Sequence, residues 1–233
     1  MIVLITPTGG RPKQFELCCT WMRKQTYTGK VLWIVVDDCF PFTIENIGDF
    51  PKNWTIIKKY PYPYWKPGDN TQGRNLKVGI DIVKKFPKEQ IEEGIFIIED
   101  DDYYSAEYLE KMVEKLKGFD VAGELYTVYY HTKSKKYNIS KNNEHSSLFQ
   151  TAFSFDMIPE FEKCYGEKFI DIKFFRYAKN INLFSQENLA IGMKGLPGRV
   201  GIGAGHRETM YRNPDRNLEK LKELIGNDYL YYK

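Results

Sequence analysis

Cysteine is scarce in this chain, four residues in 233, and no two of them form a C-x-x-C pair or a zinc-ligand spacing. That argues against a disulfide framework and a cysteine-based metal centre, and Cys18, Cys19, Cys39 and Cys164 read as small residues of a reduced, cytoplasmic protein. Long apolar runs are missing too. The opening MIVLI is stopped by Pro7 and two glycines. It falls far short of the roughly 20 residues of a membrane helix and is too short for a signal-peptide core, so no secretory or membrane segment is expected. An excess of one charge is also lacking: 34 basic against 31 acidic residues leave a net charge of +3, too little to argue for nucleic acid by itself. Neither an internal repeat nor a linker-like shift in composition divides the chain. The expectation is one domain over residues 1–233, and a chain 42% hydrophobic and 15% aromatic can fill its core.

The first half alternates in type. IVLITPT reads as a buried strand stopped by two glycines, and VLWIVVDD as a second strand of the continuous apolar kind that suits a parallel sheet covered on both faces. Between them, from Pro12 to Gln25, Phe15, Cys18, Cys19 and Met22 fall on one helical stripe, with Pro12 suited to the first turn. NWTIIKKY predicts a third strand. A helix from about Gln72 to Phe86 follows on Leu76, Ile80 and Val83, and GIFIIEDD is a fourth strand. Ser105 is placed to cap a helix whose stripe is Leu109, Met112, Val113 and Leu116. This order predicts an α/β fold with a mostly parallel sheet flanked by helices. A smaller antiparallel element is expected in the second half from ELYTVYYHTKSKKYNI, with SLFQTAFSF, INLFS and LAIGMKG as further extended pieces. Residues 172–180 and the stretch carrying Leu218, Leu221, Leu224 and Ile225 read as helices.

Ligands of open α/β sheets bind outside the carboxyl ends of the strands. Two strands here end in acids, Asp37-Asp38 and Glu99 to Asp102. Four adjacent carboxylates behind a buried strand raise one another's cost of ionisation unless a cation or hydrogen-bond network offsets it. Such a set can accept from ribose hydroxyls or hold a hard divalent ion that bridges phosphates. Asp37-Asp38 taken alone reads equally well as helix-capping or loop acids.

LITPTGGRP, IVVDD, QGRNLKVGI and FIIEDDDYYSAEYLEKM occur in that order across residues 1–117. Together they resemble the GT-A-fold nucleotide-sugar glycosyltransferases, especially glycosyltransferase family 2. The resemblance implies a nucleotide-sugar-binding half over 1–117 and an acceptor-binding, catalytic half over 118–233. It places Thr6, Pro7, Thr8 and Arg11 at the nucleotide, Asp38 in preference to Asp37 on the base or ribose, and Arg74 and Asn75 near the diphosphate. Two overlapping Asp-x-Asp registers fit, Glu99-x-Asp101 and Asp100-x-Asp102. The preferred one makes Asp102 the ligand of Mn2+ or Mg2+, with Asp100 and Asp101 toward the nucleotide-sugar. Asp171 in FIDIKFFRYAKN takes the place of the family's catalytic base, with Glu187 in reserve, and His206 in the glycine-rich GLPGRVGIGAGHR that of a further metal ligand.

The implied activity is metal-dependent, inverting transfer of a sugar, by preference from a UDP-sugar, to a hydroxyl on a glycan, a protein or a modified DNA base. The DNA option is motivated by the basic, aromatic loop KKYPYPYWK and by Arg199, Arg207 and Arg212. In that loop Trp65 serves either to stack on a sugar or base or to pin the loop. A sugar-phosphate nucleotidyltransferase, or a nucleotide-sugar-binding module without catalysis, are the competing readings.

Overall fold

The computed structural model describes residues 1–42, 47–185, 187–201 and 203–233. The first two strands, β1 (Ile2–Thr8) and β2 (Val31–Asp37), lie side by side in parallel, in register from Ile2 with Val31 to Thr8 with Asp37. Their continuous apolar composition is explained by the two faces they bury. Ile2 and Leu4, with Val31, Trp33 and Val35, pack into one core, while Val3 and Ile5, with Leu32, Ile34 and Val36, pack into another. Strand β3 (Trp54–Lys59) extends the sheet beyond β2, and β4 (Ile95–Ile97) pairs in parallel on the other side of β1.

The helices close both faces. On the first, α1 (Pro12–Arg23) buries Phe15, Cys18, Cys19 and Met22, and α3 (Tyr108–Leu116) buries Leu109, Met112 and Leu116. On the second, α2 (Gln72–Val83) buries Leu76, Ile80 and Val83. Truncating Met22, Leu76, Ile80, Leu109, Met112 or Leu116 to alanine costs about 2–5 kcal/mol. Gly73 lets α2 approach the neighbouring chain, since a Cβ there would lie 1.9 Å from the Tyr165 carbonyl oxygen.

Helix α3 begins two residues later than a cap at Ser105 would place it: its first residue is Tyr108, and the Ser105 hydroxyl is buried without a partner among the described residues. The free N–H of Leu109 is instead met by the Gln25 side-chain oxygen at 2.9 Å, from the end of α1. A distant amide thus replaces the local hydroxyl in satisfying the helix end.

After β4 the chain forms β5 (Tyr103–Tyr104), and beyond α3 it continues with β6 (Val121–Glu124), β7 (Tyr126–His131), β8 (Lys136–Lys141) and β9 (Thr151–Phe153). Then follow α4 (Ile158–Glu162), α5 (Ile170–Phe175), β10 (Ile181–Phe184), β11 (Ala190–Lys194), β12 (Asn213–Pro214) and α6 (Glu219–Ile225). The large sheet runs β3-β2-β1-β4-β9-β6-β10, parallel except where β9 is inserted against β4 and β6. The small sheet runs β12-β8-β7-β11-β5, antiparallel except for the β7–β11 pair.

Several expectations shift in detail. SLFQTAFSF contributes only the strand Thr151–Phe153, after a single 3-10 turn at Leu148–Gln150. The helix expected over 172–180 starts at Ile170 and stops at Phe175, and α4 was not foreseen. None of the described helices is long and apolar enough to cross a membrane.

Candidate active site

The large sheet reverses its order between β1 and β4, which opens a crevice at their carboxyl ends. Glu99 to Asp102 occupy the crossing from β4 in the large sheet to β5 in the small one, so two sheets converge on four acids. A cleft of about 300 Å³ opens there, lined from both halves of the chain by Pro7, Thr8, Arg11, Asn75, Glu99, Asp100, Asp101, Asp171, Lys194, Arg199 and His206, among others.

Each acid has a different neighbour. Asp100 accepts from Thr8 Oγ1 at 2.6 Å and Arg11 Nη1 at 2.7 Å. Asp101 accepts from Lys194 Nζ at 3.0 Å, with Arg11 Nη1 at 3.7 Å and His206 Nε2 also at 3.7 Å. Asp102 lies deeper, outside the cleft lining, where its Oδ1 accepts from Lys194 Nζ at 2.6 Å and from the Met193 N–H at 2.9 Å. Its Oδ2 is buried with no partner among the described residues. Gln72 Nε2 donates to Glu99 Oε1 at 2.7 Å.

Burial and crowding set the protonation states. Burial pushes Glu99 up to about 7, against the pull of Lys194. Burial also disfavours ionisation of Asp101, but Lys194, Arg11 and His206 outweigh it and hold that carboxyl well below the usual range. Lys194 is buried as well, yet Asp101, Asp102 and Glu99 keep it protonated. Burial first, then Lys194, lower His206 to about 4, so its ring is neutral at neutral pH. Gly201 leaves room for that ring, since a Cβ there would meet His206 Nε2 at 2.2 Å.

A pH effect follows from His206. Folded, it binds fewer protons than the unfolded chain between its ordinary 6.5 and about 4, so its contribution is complete above 6.5 and is lost as pH falls toward 4. Glu99, raised from 4.5 to about 7, works in the opposite sense, its contribution fading as pH rises through 7. The His206→Asn variant is therefore expected to lose less melting temperature than the wild type on acidification from 6.5 to about 4. Thermal denaturation across that range checks it; equal losses would contradict the buried, neutral state.

Asp38 is enclosed rather than open. Arg199 Nη1 donates to its Oδ1 at 2.7 Å, while Arg74 Nη2 at 3.2 Å, Asn75 Nδ2 at 2.8 Å and the Thr71 hydroxyl converge on Oδ2. Arg199 also lies over the Trp65 ring, 4.5 Å from its centroid, and the Trp65 indole donates to the Asp69 carbonyl at 3.1 Å. Trp65 therefore pins its loop. Thr6 faces the core, where its hydroxyl accepts from the Trp33 indole at 2.9 Å. Asp171 is half-buried in the first turn of α5 and lines the cleft, its Oδ1 accepting from the Ile172 N–H at 2.9 Å. Burial raises its pKa, against backbone N–H donors and His145. Glu187, the reserve base, pairs instead with Lys115 at 2.6 Å and takes no part in the cleft lining. Its helix-side partner draws it away from the strand ends.

The principal omission of the sequence reading is Lys194. A lysine closing the apolar run LAIGM is the one signal that could have exposed it, because a buried strand carries a charge only against a partner. The polar cleft residues Asn138, Ser140, Asn142, His145 and Ser147 were also not foreseen. Asn138, Ser140 and Asn142 alternate along β8 and just past it, His145 and Ser147 follow in the next loop, and all five look like ordinary surface residues in one dimension.

Glu99, Asp101 and Asp102 can present ligand atoms all within 4.8 Å of one another, so the cluster could hold a metal ion. Their hard oxygen donors, the neutral His206 ring beside Asp101 and the unpartnered Asp102 Oδ2 fit a divalent cation.

No family profile and no curated protein matches the chain. Among solved structures, S. aureus TarS superposes with a TM-score of 0.60 at 14% identity, over 82% of this chain and 36% of that one. Residues 1–349 of TarS in complex with UDP match with a TM-score of 0.58 at 13% identity, over 82% and 60% of the two chains. The same portion in complex with UDP-GlcNAc gives 0.57 at 14%, over 86% and 59%. This chain thus spans less than two thirds of the length of each. With its mostly parallel sheet, its acid segment at the sheet reversal and this likeness to TarS, the chain has a GT-A-like fold.

Proposed function

We propose that the protein is a glycosyltransferase that moves a sugar from a nucleotide-sugar, by preference a UDP-sugar, to a hydroxyl acceptor. The observation that carries this reading is the cleft that Glu99, Asp100 and Asp101 line together with the cations Arg11, Lys194 and Arg199 and with Asp171. The TarS complexes with UDP and UDP-GlcNAc support the choice of donor. In this reading residues 1–117 supply most of the donor side, with Pro7, Thr8, Arg11 and Asn75 toward the nucleotide, and 118–233 supply the acceptor side.

Glu99, Asp101 and Asp102 would hold Mn2+ or Mg2+, with His206 beside them. Asp101 is preferred over Asp102 as the principal ligand because it lines the cleft while Asp102 lies behind it. When bound, such an ion offsets the charge that develops on the diphosphate leaving group. Arg11 and Arg199 bring further positive charge to the cleft. Arg199 must let go of Asp38 for that carboxylate to reach a ribose or base. Asp171 takes the acceptor proton; its raised pKa makes it a stronger base than an exposed aspartate. Attack from the face opposite the leaving group gives inversion. Asn138, Ser140, Asn142 and Ser147 give the cleft neutral amides and hydroxyls, and His145 acts on Asp171. That chemistry favours a polyhydroxylated acceptor, a glycan, over DNA.

A thermal-shift screen of nucleotide-sugars with and without Mn2+ tests the reading. A UDP-sugar at a hundred times its Kd is expected to stabilise the fold by about 2.7 kcal/mol, or about 5–10 °C for a chain of this size. No shift with any nucleotide-sugar would remove it, and a shift only with donors other than UDP-sugars would overturn the preference for UDP. With acceptor present, binding of a UDP-sugar without release of UDP would point to a non-catalytic module, and release of pyrophosphate from UTP and a sugar 1-phosphate supplied in its place would point to nucleotidyl transfer.

A further inference from the structure

Lys194 is held where it is by the backbone. Strand β11 lies between β5 and β7, with Ile191 opposite Tyr103 and Lys194 opposite His131. Since β5 begins directly after Asp102, the Met193 N–H falls on Asp102 Oδ1 at 2.9 Å, and the next side chain enters the acids. Its ammonium lies 2.6 Å from Asp102 and 3.0 Å from Asp101, and only 4% of the side chain is exposed. These are two of the three residues whose ligand atoms lie within 4.8 Å of one another. A divalent ion would need their oxygens at about 2.0–2.6 Å. An ammonium and a metal ion drawing on the same oxygens repel each other strongly, because low-dielectric surroundings screen them poorly. Among the described residues no donor reaches Asp102 Oδ2, so their donors leave one oxygen of the cluster open.

We infer that Lys194 is the resident cation of the acid cluster, which it holds together in the unliganded protein, and that it competes with a divalent ion for the oxygens of Asp101 and Asp102. The inference rests on the proposed cation role of the cluster and assigns it a regulator. A metal ion enters by displacing the ammonium from at least one carboxylate, so the affinity of the bare protein for metal is held low. Lys194 lines the cleft, so its charge stays near the donor site in either state.

The test uses the full chain without nucleotide. Free Mn2+ is followed by electron paramagnetic resonance against the wild type and Lys194→Met. The variant is expected to bind Mn2+ at least about tenfold tighter, a gain that would correspond to one decade in the binding constant. It is also expected to gain more melting temperature from Mn2+ than the wild type does. Equal or weaker binding by the variant overturns the inference. If Lys194→Met does not fold with or without Mn2+, the wild type decides. Its buried ammonium is observed by 15N NMR during Mg2+ titration, with the Asp101 and Asp102 amides reporting entry of the ion. A Lys194 signal that moves together with those amides supports competition. One that stays unchanged while they shift overturns it, as does a cluster that takes no Mg2+ at all. Failure of every nucleotide-sugar to bind would sink the transferase reading while leaving this result standing.

Discussion

Asp171→Asn is expected to lower the transfer rate by about 10²–10⁴-fold and to leave UDP affinity unchanged. The substitution preserves shape, and the Asn oxygen can still accept the Ile172 N–H that Asp171 now holds at 2.9 Å. What it removes is the ability to take a proton. The measurement pairs the rate of UDP release in the presence of acceptor with a calorimetric Kd for UDP. A variant as fast as the wild type would exclude Asp171 as the base. Glu187→Gln serves as the contrast and is expected to keep its rate, because Glu187 is engaged by Lys115 away from the cleft. The pH profile carries a second signature. A base must be ionised, and burial raises Asp171 above its ordinary 3.8, so the acid limb of the rate should lie above that value.

Asp102→Ala is expected to fail in a different way, through the fold. Asp102 is the nearest partner of the buried Lys194 and the acceptor for the Met193 N–H. Breaking a buried ion pair costs about 3–5 kcal/mol, and the lower end applies because Asp101 still accepts from Lys194. About 3 kcal/mol corresponds to a loss of about 6–12 °C in melting temperature for a domain of this size. Asp101→Asn, which keeps an acceptor for Lys194 and lies at the cleft surface, should melt much closer to the wild type yet lose metal and donor binding. Melting curves beside Mn2+ titrations of both variants separate the two roles. If Asp102→Ala melts like the wild type and loses only metal binding, then Asp102 is the principal ligand and the preference for Asp101 is wrong.

These two acids show where reading in one dimension reached its limit. Glu99 to Asp102 stand out in the sequence because four carboxylates behind an apolar strand demand compensation. Their register stays open there, since Glu99-x-Asp101 and Asp100-x-Asp102 are equally well formed. The structure separates them by depth: Asp101 lines the cleft, whereas Asp102 points back toward β11. Depth is set by which strand packs behind the segment, and that strand arrives some ninety residues later.

What the sequence by itself determined was the framework. Apolar runs long enough to bury two faces specify β1 and β2, and helical stripes specify α1, α2 and α3, because periodicity is a local property of the chain. Acids at strand ends then mark the edge where ligands bind. Only the tertiary structure decided the compensation. Lys194 for the acids, Arg199 for Asp38 and Gln25 for the start of α3 are all partners distant in sequence. The physical reason is common to the three. Burying a charge or a free N–H requires a partner, but any part of the chain that the topology brings close can supply it.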